Sequence, residues 1–296
     1  MSRVFVAYEH ALKREVAVKV LPPDLISTTS VARFRQEIEV TARLQHPHIL
    51  PVVTTGGTDV LIYYVMPYVA GGSLRERLQS GERLGFTQGV RLTEELLAAI
   101  AVAHERGIVH RDIKPGNVLL SEGHAMLADF GIARAREAIE TPHEWGGDAQ
   151  TTSVASPEAY RAPERPRDSA ADLYALAVLS FEMLTGTLPT NVSQSAINAA
   201  LLDANRAASP LRVRAVAAVL ARALSHDPAA RFPNARDFRA ALAATGEPRR
   251  ASARSTVAVA ASLLIVAAGS WWVASRQFAS AEAAPPGDTA APTVAL

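Results

Sequence analysis

The chain has 296 residues, of which 49% are hydrophobic and 20% charged, and its formal net charge is +1 at pH 7. A charge so close to zero gives no long-range attraction to nucleic acid, which is therefore not an expected partner. Cysteine is absent, which excludes disulfides, cysteine-bound metals and cysteine nucleophiles. Lysine occurs 3 times against 27 arginines, so the position of each lysine is informative.

The first part of the chain is dominated by strand patterns. Residues 4–8 and 15–20 are apolar runs joined by a polar turn, and residues 49–53 and 61–66 predict two more strands separated by Thr-Gly-Gly. Between these pairs, apolar side chains recur at helical spacing over residues 30–44. The sequence therefore predicts a small, strand-rich unit that contains one helix.

The globular region continues to about residue 247 and is mainly helical after the first lobe. A long amphipathic helix is predicted from residue 87 to Gly107, and residues 118–120 and 125–128 predict a short hairpin. Four further helices are predicted at residues 171–184, 195–204, 211–224 and 235–244.

Residues 255–275 form an apolar run without a charge. At about 1.5 Å per residue, a helix of this length spans a hydrocarbon core of about 30 Å. Arg249, Arg250 and Arg254 precede the run and Arg276 alone follows it, which predicts a single-pass helix in the cell membrane with the preceding chain in the cytoplasm. A buried core helix or an alanine-rich linker is the alternative interpretation.

The tail at residues 276–296 is rich in Ala and Pro and is predicted to be disordered. We expect it to be too short for a folded sensor domain. Small residues at 267–270 would let two membrane helices approach closely, so a homodimer is one expected route for signal input.

Two polar motifs carry the chemistry. The first is His-Arg-Asp-Ile-Lys-Pro-Gly-Asn at residues 110–117, and the second is Asp-Phe-Gly at residues 129–131. A single Asp or Asn is usually a turn former or a helix cap, but this ordered set supplies an acid, a base, an amide and a second carboxylate. Such a set suits phosphoryl transfer from a metal-bound nucleotide.

Three further motifs are Val-Ala-Val-Lys at 16–19, Met-Pro-Tyr-Val at 66–69 and a segment ending in Ala-Pro-Glu at 156–164. Together, the five motifs make the chain up to about residue 245 resemble a eukaryotic-type protein kinase, and most of all the bacterial membrane-anchored serine/threonine kinases. The resemblance implies an α+β fold with two lobes. The expected parts are an incomplete N-lobe at 1–69 that lacks the family's first strand and glycine loop, a C-lobe at 70–247, a basic linker at 248–254, the transmembrane helix at 255–275 and the tail at 276–296.

The resemblance implies a role for each residue of the catalytic loop. Asp112 would accept the proton of the substrate hydroxyl or orient that hydroxyl for attack, and Lys114 would steady the transferred phosphate. Asn117 and Asp129 would hold Mg²⁺, a hard cation that prefers oxygen ligands. A lysine two residues after the aspartate is the serine/threonine form of the loop. The implied reaction transfers the γ-phosphate of ATP to serine or threonine hydroxyls of protein substrates.

The resemblance also places the nucleotide. Lys19 would contact the α- and β-phosphates, Met66 would be the gatekeeper, and backbone groups near Tyr68 and Val69 would bind the adenine. The alternative for Lys19 is a surface lysine at a strand edge.

An acidic partner for Lys19 is expected on the first helix. Glu37 would fix the lysine through an ion pair, and Glu39 is the rival, because helical spacing cannot point both side chains inward. A solvated helix charge is the alternative for either glutamate.

The segment before Ala-Pro-Glu is a candidate regulatory element. Thr151, Thr152 and Ser153 lie where activating phosphorylation often occurs in relatives, and a phosphate there could pair with Arg111. Ser156 takes the place of the usual threonine that contacts the catalytic loop. An ordinary polar loop is the alternative.

Three residues have implied structural roles. Glu164 would form an ion pair with Arg231, and Asp172 would be the buried aspartate that anchors the catalytic loop.

One departure from the family concerns the glycine-rich phosphate loop. Val4 fits the closing valine of that loop, and its two glycines would lie upstream of Met1. We therefore weigh a second hypothesis, a catalytically impaired kinase-like scaffold or gene fragment. A third is a small-molecule phosphotransferase, against which the Ala-Pro-Glu segment favours protein substrates.

Overall fold

The structure is a computed structural model, which describes residues 3–20, 38–39, 41–58, 62–130, 157–164 and 168–246. The chain divides into two units, residues 1–245 and 246–296, and apart from Gly246 everything described here belongs to the first. The predicted membrane span at 255–275 and the predicted tail lie outside the described residues. Within the described ranges, no helix combines the length and apolar character that a bilayer crossing requires.

A four-stranded antiparallel sheet forms the N-lobe. On β4, Ile62, Tyr64 and Met66 are buried at every second position, as expected for a strand with one face on a core. The same core includes Ala17 and Leu50. The strands are β1 (Arg3–Glu9), β2 (Arg14–Val20), β3 (Thr54–Gly57) and β4 (Ile62–Pro67), in the order β1-β2-β4-β3.

The predicted strand at residues 49–53 is wrong, because the start of this segment pairs with the C-lobe and only Val53, whose N–H donates to the Val65 carbonyl at 2.8 Å, reaches the N-lobe sheet. The backbone N–H of Leu50 donates to the Leu127 carbonyl at 2.9 Å, and the N–H of Leu127 donates to the His48 carbonyl at 2.9 Å. Pro51 follows and has no N–H with which to continue a ladder. The segment therefore joins the two lobes.

The strand that does form, β3, includes the Thr-Gly-Gly predicted as a turn. A Cβ atom on Gly56 would overlap the hydroxyl of Tyr63 on the neighbouring strand β4. Glycine is thus used here for a close approach of an aromatic ring to the strand.

The C-lobe is helical and contains the larger core. Helix α3 is buried on almost every face, and its N-terminus is capped by Asp168, whose side chain accepts from the N–H of Ala170 at 3.0 Å. Gly186 ends this helix with a φ of +77°. The helices are α1 (Leu74–Gln79), α2 (Phe86–Glu105), α3 (Ser169–Thr185), α4 (Gln194–Ala204), α5 (Pro210–Ala223) and α6 (Ala235–Ala243).

The two-stranded hairpin of β5 (Val118–Ser121) and β6 (His124–Leu127) packs on this lobe. It is antiparallel, with Val118 opposite Leu127. The hairpin and the helices α2 to α6 agree with the sequence predictions to within about two residues at each end, the usual uncertainty of helix boundaries.

The segment after β4 gives a test of how closely the chain packs on the hairpin of β5 and β6. A Cβ atom on Gly71 would overlap the carbonyl oxygen of Leu120 on β5, and the next residue, Gly72, accepts a hydrogen bond from the Leu120 N–H at 3.0 Å. Since relieving the overlap breaks that bond, Gly71→Ala should lower the free energy of unfolding by about 2 kcal/mol. Urea unfolding followed by circular dichroism measures the change.

Gly85→Ala is the matched control, because a Cβ atom at Gly85 meets nothing within 4 Å. Equal losses of stability in the two variants would contradict the proposed overlap.

Candidate active site

The loop of residues 110–117 is anchored to the buried helix α3. Asp172 is 1% exposed and accepts hydrogen bonds from the backbone N–H groups of His110 at 2.8 Å and Arg111 at 2.7 Å. Its Oδ2 also lies 2.8 Å from Nε2 of His104. Arg111 has a left-handed φ of +68°, which costs a non-glycine residue about 1–2 kcal/mol. The charge-assisted bonds to Asp172 offset this cost and fix the start of the loop.

The ring of His110 joins the loop to the hairpin. This side chain is fully buried, and its ring centroid lies 4.6 Å from that of Phe130. Nδ1 accepts from the backbone N–H of Asp112 at 3.2 Å, so Nε2 carries the hydrogen and donates to the Ala128 carbonyl at 2.9 Å. The loop is therefore held from two sides, by α3 and by the end of β6.

Asp112, Lys114 and Asn117 form one hydrogen-bonded group. Lys114 Nζ donates to Asp112 Oδ2 at 2.7 Å, and Asn117 Nδ2 donates to the same oxygen at 3.0 Å. Asn117 Nδ2 also donates to the main-chain carbonyl of Asp112 at 2.7 Å. The Asp112 side chain is still 30% exposed, so its carboxylate can be reached from solvent.

The hairpin places Asp129 beside this group. The N–H of Ala128 donates to the Asn117 carbonyl at 2.8 Å, which extends the pairing of β5 and β6 by one step. Asn117 and Asp129 therefore leave the same end of the hairpin. Asp129 adopts a left-handed φ of +65°, a second strained position in the site.

Two side chains of the N-lobe sheet reach Asp129. Lys19 on β2 forms an ion pair with Oδ2, and the hydroxyl of Tyr64 on β4 donates to Oδ1 at 2.5 Å. Removal from water would raise the pKa of Asp129, but the charge and hydrogen bond of Lys19 and the hydrogen bond of Tyr64 outweigh it and lower the pKa. Burial, together with the charge of Asp129, raises the pKa of Tyr64, so the phenol stays protonated as the donor.

The segment expected to contact adenine follows directly from β4. Pairing with β2 ends where Pro67 lies opposite Val16, and the chain then leaves the sheet. Met66 is buried, Tyr68 is 41% exposed, and Val69 packs against the N-lobe core. This leaves the backbone of Tyr68 and Val69 at the junction of the lobes.

Arg231 ties the end of the segment 157–164 to the C-lobe. Its Nη2 donates to Glu164 Oε2 at 2.9 Å, its Nε donates to the Ser225 carbonyl at 2.8 Å, and its guanidinium lies 4.7 Å from the centroid of the Tyr174 ring. The hydrogen bond from Arg231 lowers the pKa of Glu164. The ion pair expected from the sequence is thus present.

The remaining candidate residues belong to the first predicted helix and to the segment before Ala-Pro-Glu. Glu39, the rival partner for Lys19, is helical and exposed, so it does not reach the site. The candidates Glu37, Thr151, Thr152, Ser153 and Ser156 lie outside the described residues.

Tyr64 and His104 are site residues that were not predicted from the sequence. Tyr64 stands in register with Lys19 across the sheet, and that cross-strand pairing is the signal that could have found it. His104 lies in the last turn of the amphipathic helix α2, where its contact with α3 depends on packing that a single sequence does not reveal.

A strand-rich lobe that carries Lys19, joined to a helical lobe that carries Asp112, Asn117 and Asp129, is the arrangement expected of a two-lobed phosphotransferase. The family model for the protein kinase domain matches residues 1–258. The chain therefore belongs to the protein kinase family.

Curated relatives and solved structures agree with this assignment. The chain is 34% identical to serine/threonine-protein kinase PrkC of Bacillus subtilis over 252 residues, 81% of this chain and 38% of PrkC. It is 33% identical to serine/threonine-protein kinase PknB of Mycobacterium leprae over 291 residues, 92% of this chain and 46% of PknB. The chain thus spans less than half the length of either relative.

Two solved structures are similar in fold. The kinase domain of Mycobacterium tuberculosis PknI matches with a TM-score of 0.60 and 29% identity, covering 83% of this chain and 92% of that one. Rad53 1-466 in complex with AMP-PNP matches with a TM-score of 0.61 and 25% identity, covering 80% of this chain and 60% of that one.

The pKa of Glu164 gives a pH-dependent prediction. Because the folded state lowers this pKa, the carboxylate stabilises the fold above the ordinary glutamate pKa of about 4.3 and loses that effect as the pH falls through the lowered value. Glu164→Gln should therefore be less stable than the wild type at pH 7, and the gap should close at acid pH. Urea unfolding of both proteins over a pH series measures it. A gap that stays constant across the series would contradict the role of the charge.

Proposed function

We propose that the chain is a protein serine/threonine kinase, which transfers the γ-phosphate of ATP to serine and threonine hydroxyls of protein substrates. The observation that carries the proposal is the group of Asp112, Lys114 and Asn117, with Asp129 at the adjoining end of the hairpin. The relatives PrkC and PknB bear the name serine/threonine-protein kinase. A lysine at position 114 is the serine/threonine form of the loop, so it favours the same serine and threonine substrates.

Asp112 is the group that meets the substrate hydroxyl. Lys114 and Asn117 both donate to its Oδ2, which fixes the carboxylate while the side chain stays reachable from solvent. A carboxylate held in this way can orient a hydroxyl for in-line attack and accept its proton. Lys114 supplies the positive charge that stabilises the transferred phosphate.

Asn117 and Asp129 fit a magnesium site. Asn117 donates from its Nδ2 to Asp112, so its amide oxygen is left as an acceptor for a metal. Asp129 is ionised, because its pKa is lowered. A carboxylate and an amide oxygen are donors that suit Mg²⁺, which binds through one or two protein oxygens plus phosphates and water and would neutralise the charge of those phosphates.

The nucleotide lies between the lobes in this proposal. Lys19, which contacts Asp129, is the cation for the α- and β-phosphates, and Glu37 is its proposed partner in the loaded enzyme. Met66 is the gatekeeper, and the backbone of Tyr68 and Val69 binds the adenine. The complex of the similar Rad53 structure with AMP-PNP supports a nucleotide ligand.

Phosphorylation of Thr151, Thr152 or Ser153 is the proposed control of the site. The buried Nε of Arg111 has no hydrogen-bond partner within the described part of the chain. A phosphate brought to it would satisfy this donor and add charge-assisted bonds. Ser156 would then contact the catalytic loop.

A phosphate-transfer assay tests the proposed activity. With radiolabelled ATP, Mg²⁺ and a generic protein substrate, Asp112→Asn should lower the rate at least about 100-fold, because the hydroxyl loses its positioned base. Asp203→Asn is the control, the same substitution at a side chain that is 73% exposed.

Wild-type activity that survives Asp112→Asn would contradict the proposed catalytic role. A wild-type chain that neither transfers phosphate nor gains thermal stability with Mg²⁺-ATP would favour the kinase-like scaffold.

The same proposal places the kinase at the inner face of the cell membrane, anchored by residues 255–275. The support is the uncharged run and the arginines before it. Small residues at 267–270 would let two such helices pack into a homodimer.

Carbonate extraction of membranes that contain the full chain tests the anchor. The wild type should stay in the membrane fraction. A double substitution, Leu263→Arg with Leu264→Arg, should be extracted, since each charge costs about 2.5–3.5 kcal/mol near the bilayer centre. Leu211→Arg, at a side chain that is 78% exposed on α5, is the control. Complete extraction of the wild type would contradict the anchor.

A further inference from the structure

Tyr64 contacts Asp129 from the interior of the N-lobe. The residue is 2% exposed and lies on β4 between Ile62 and Met66, whose side chains share its buried face. Its hydroxyl donates to Asp129 Oδ1 at 2.5 Å. A phenol held by a packed strand has little freedom, so this donor is rigid.

The two oxygens of Asp129 have different partners. Oδ1 accepts from Tyr64, and Oδ2 forms the ion pair with Lys19. Lys19 and Tyr64 stand opposite each other on β2 and β4, so both project from the same face of the sheet. Each carboxylate oxygen has two lone pairs, and one donor on an oxygen leaves the other pair usable.

The contacts of Lys19 and of Tyr64 with Asp129 respond differently when nucleotide and metal bind. Under the proposed function, Lys19 must turn to the nucleotide phosphates, and it then gives up at least part of its contact with Oδ2. The Tyr64 phenol is uncharged and belongs to the buried core of the N-lobe, so the nucleotide phosphates do not draw it away from Oδ1 as they draw the ammonium of Lys19. Asp129 also sits at a strained φ of +65°, so its side chain needs a contact that persists.

We propose that Tyr64 is a positioning residue for Asp129: it holds the carboxylate through Oδ1 while Lys19 exchanges Oδ2 for the nucleotide phosphates. The inference rests on the proposed function, since it concerns the carboxylate as a metal ligand. Hydrogen bonds to a metal ligand from a residue that does not itself bind the metal orient that ligand, and their loss lowers metal affinity by about 10- to 100-fold.

Nucleotide affinity with and without metal tests the inference. Calorimetric titration of AMP-PNP into the full chain, with and without Mg²⁺, gives the gain in affinity that the metal provides. In Tyr64→Phe this gain should fall about 10-fold or more, while the affinity without Mg²⁺ stays the same. Tyr63→Phe is the matched control: it removes a hydroxyl one position earlier on β4, where the side chain covers Gly56, and it should keep the gain.

The outcomes separate the inference from the proposed function. If Mg²⁺ raises the affinity for AMP-PNP in Tyr64→Phe as much as in the wild type, the inference is overturned and the proposed function stands. A wild type in which Mg²⁺ gives no gain overturns the proposed function, and the inference with it.

A double-mutant cycle covers the case in which Tyr64→Phe is destabilised, because Tyr64 also makes other contacts. Thermal unfolding without nucleotide or metal is compared for the wild type, Tyr64→Phe, Asp129→Ala and the double variant, because alanine removes the oxygen that accepts from Tyr64. If the hydroxyl acts on Asp129, its removal should lower the melting temperature of the wild type more than that of Asp129→Ala. Equal losses in both backgrounds would mean that the hydroxyl acts elsewhere, and would overturn the inference.

Discussion

Three hydrogen bonds to one buried carboxylate support the chemistry of this protein. Asp172 receives the backbone N–H groups of His110 and Arg111 and contacts Nε2 of His104, so a single side chain of α3 fixes the start of the catalytic loop and the end of α2. These bonds offset the free-energy cost of the left-handed conformation of Arg111. Asp112 is the next residue after Arg111, so the direction of its side chain depends on the bonds to Asp172.

A second carboxylate connects the lobes. Asp129 leaves the hairpin beside Asn117 and is reached by Lys19 and Tyr64 from the N-lobe sheet. The segment that was predicted as a strand at 49–53 adds a backbone link between the same hairpin and the N-lobe. The position of the N-lobe therefore bears directly on the geometry of the residues that would hold the metal.

The sequence was most informative where chemistry fixes the spacing of residues. Asp112, Lys114 and Asn117 lie within one short loop, so their order alone predicts that they meet, and the structure brings them together. The distant pair of Glu164 and Arg231 could be expected only through the family resemblance, since no local pattern connects the two positions.

Predictions from local sequence patterns were wrong or incomplete where tertiary contacts determine the structure. Residues 49–53 are as apolar as a strand, but Leu50 pairs with the C-lobe and Pro51 cannot donate to a ladder, so the strand begins only at Thr54. The role of Tyr64 was missed for a similar reason. An aromatic residue on a buried strand is usually part of the core, and its hydroxyl becomes informative only once the register with Lys19 is known.

The most direct test of the account is the effect of Asp172→Asn on binding and on transfer. Asparagine offers one oxygen acceptor where Asp172 uses two, and its amide group would face a backbone N–H donor. Asp172→Asn should still bind Mg²⁺-ATP, while the rate of phosphate transfer should fall at least about 100-fold. Transfer at the wild-type rate by a folded Asp172→Asn protein would contradict it.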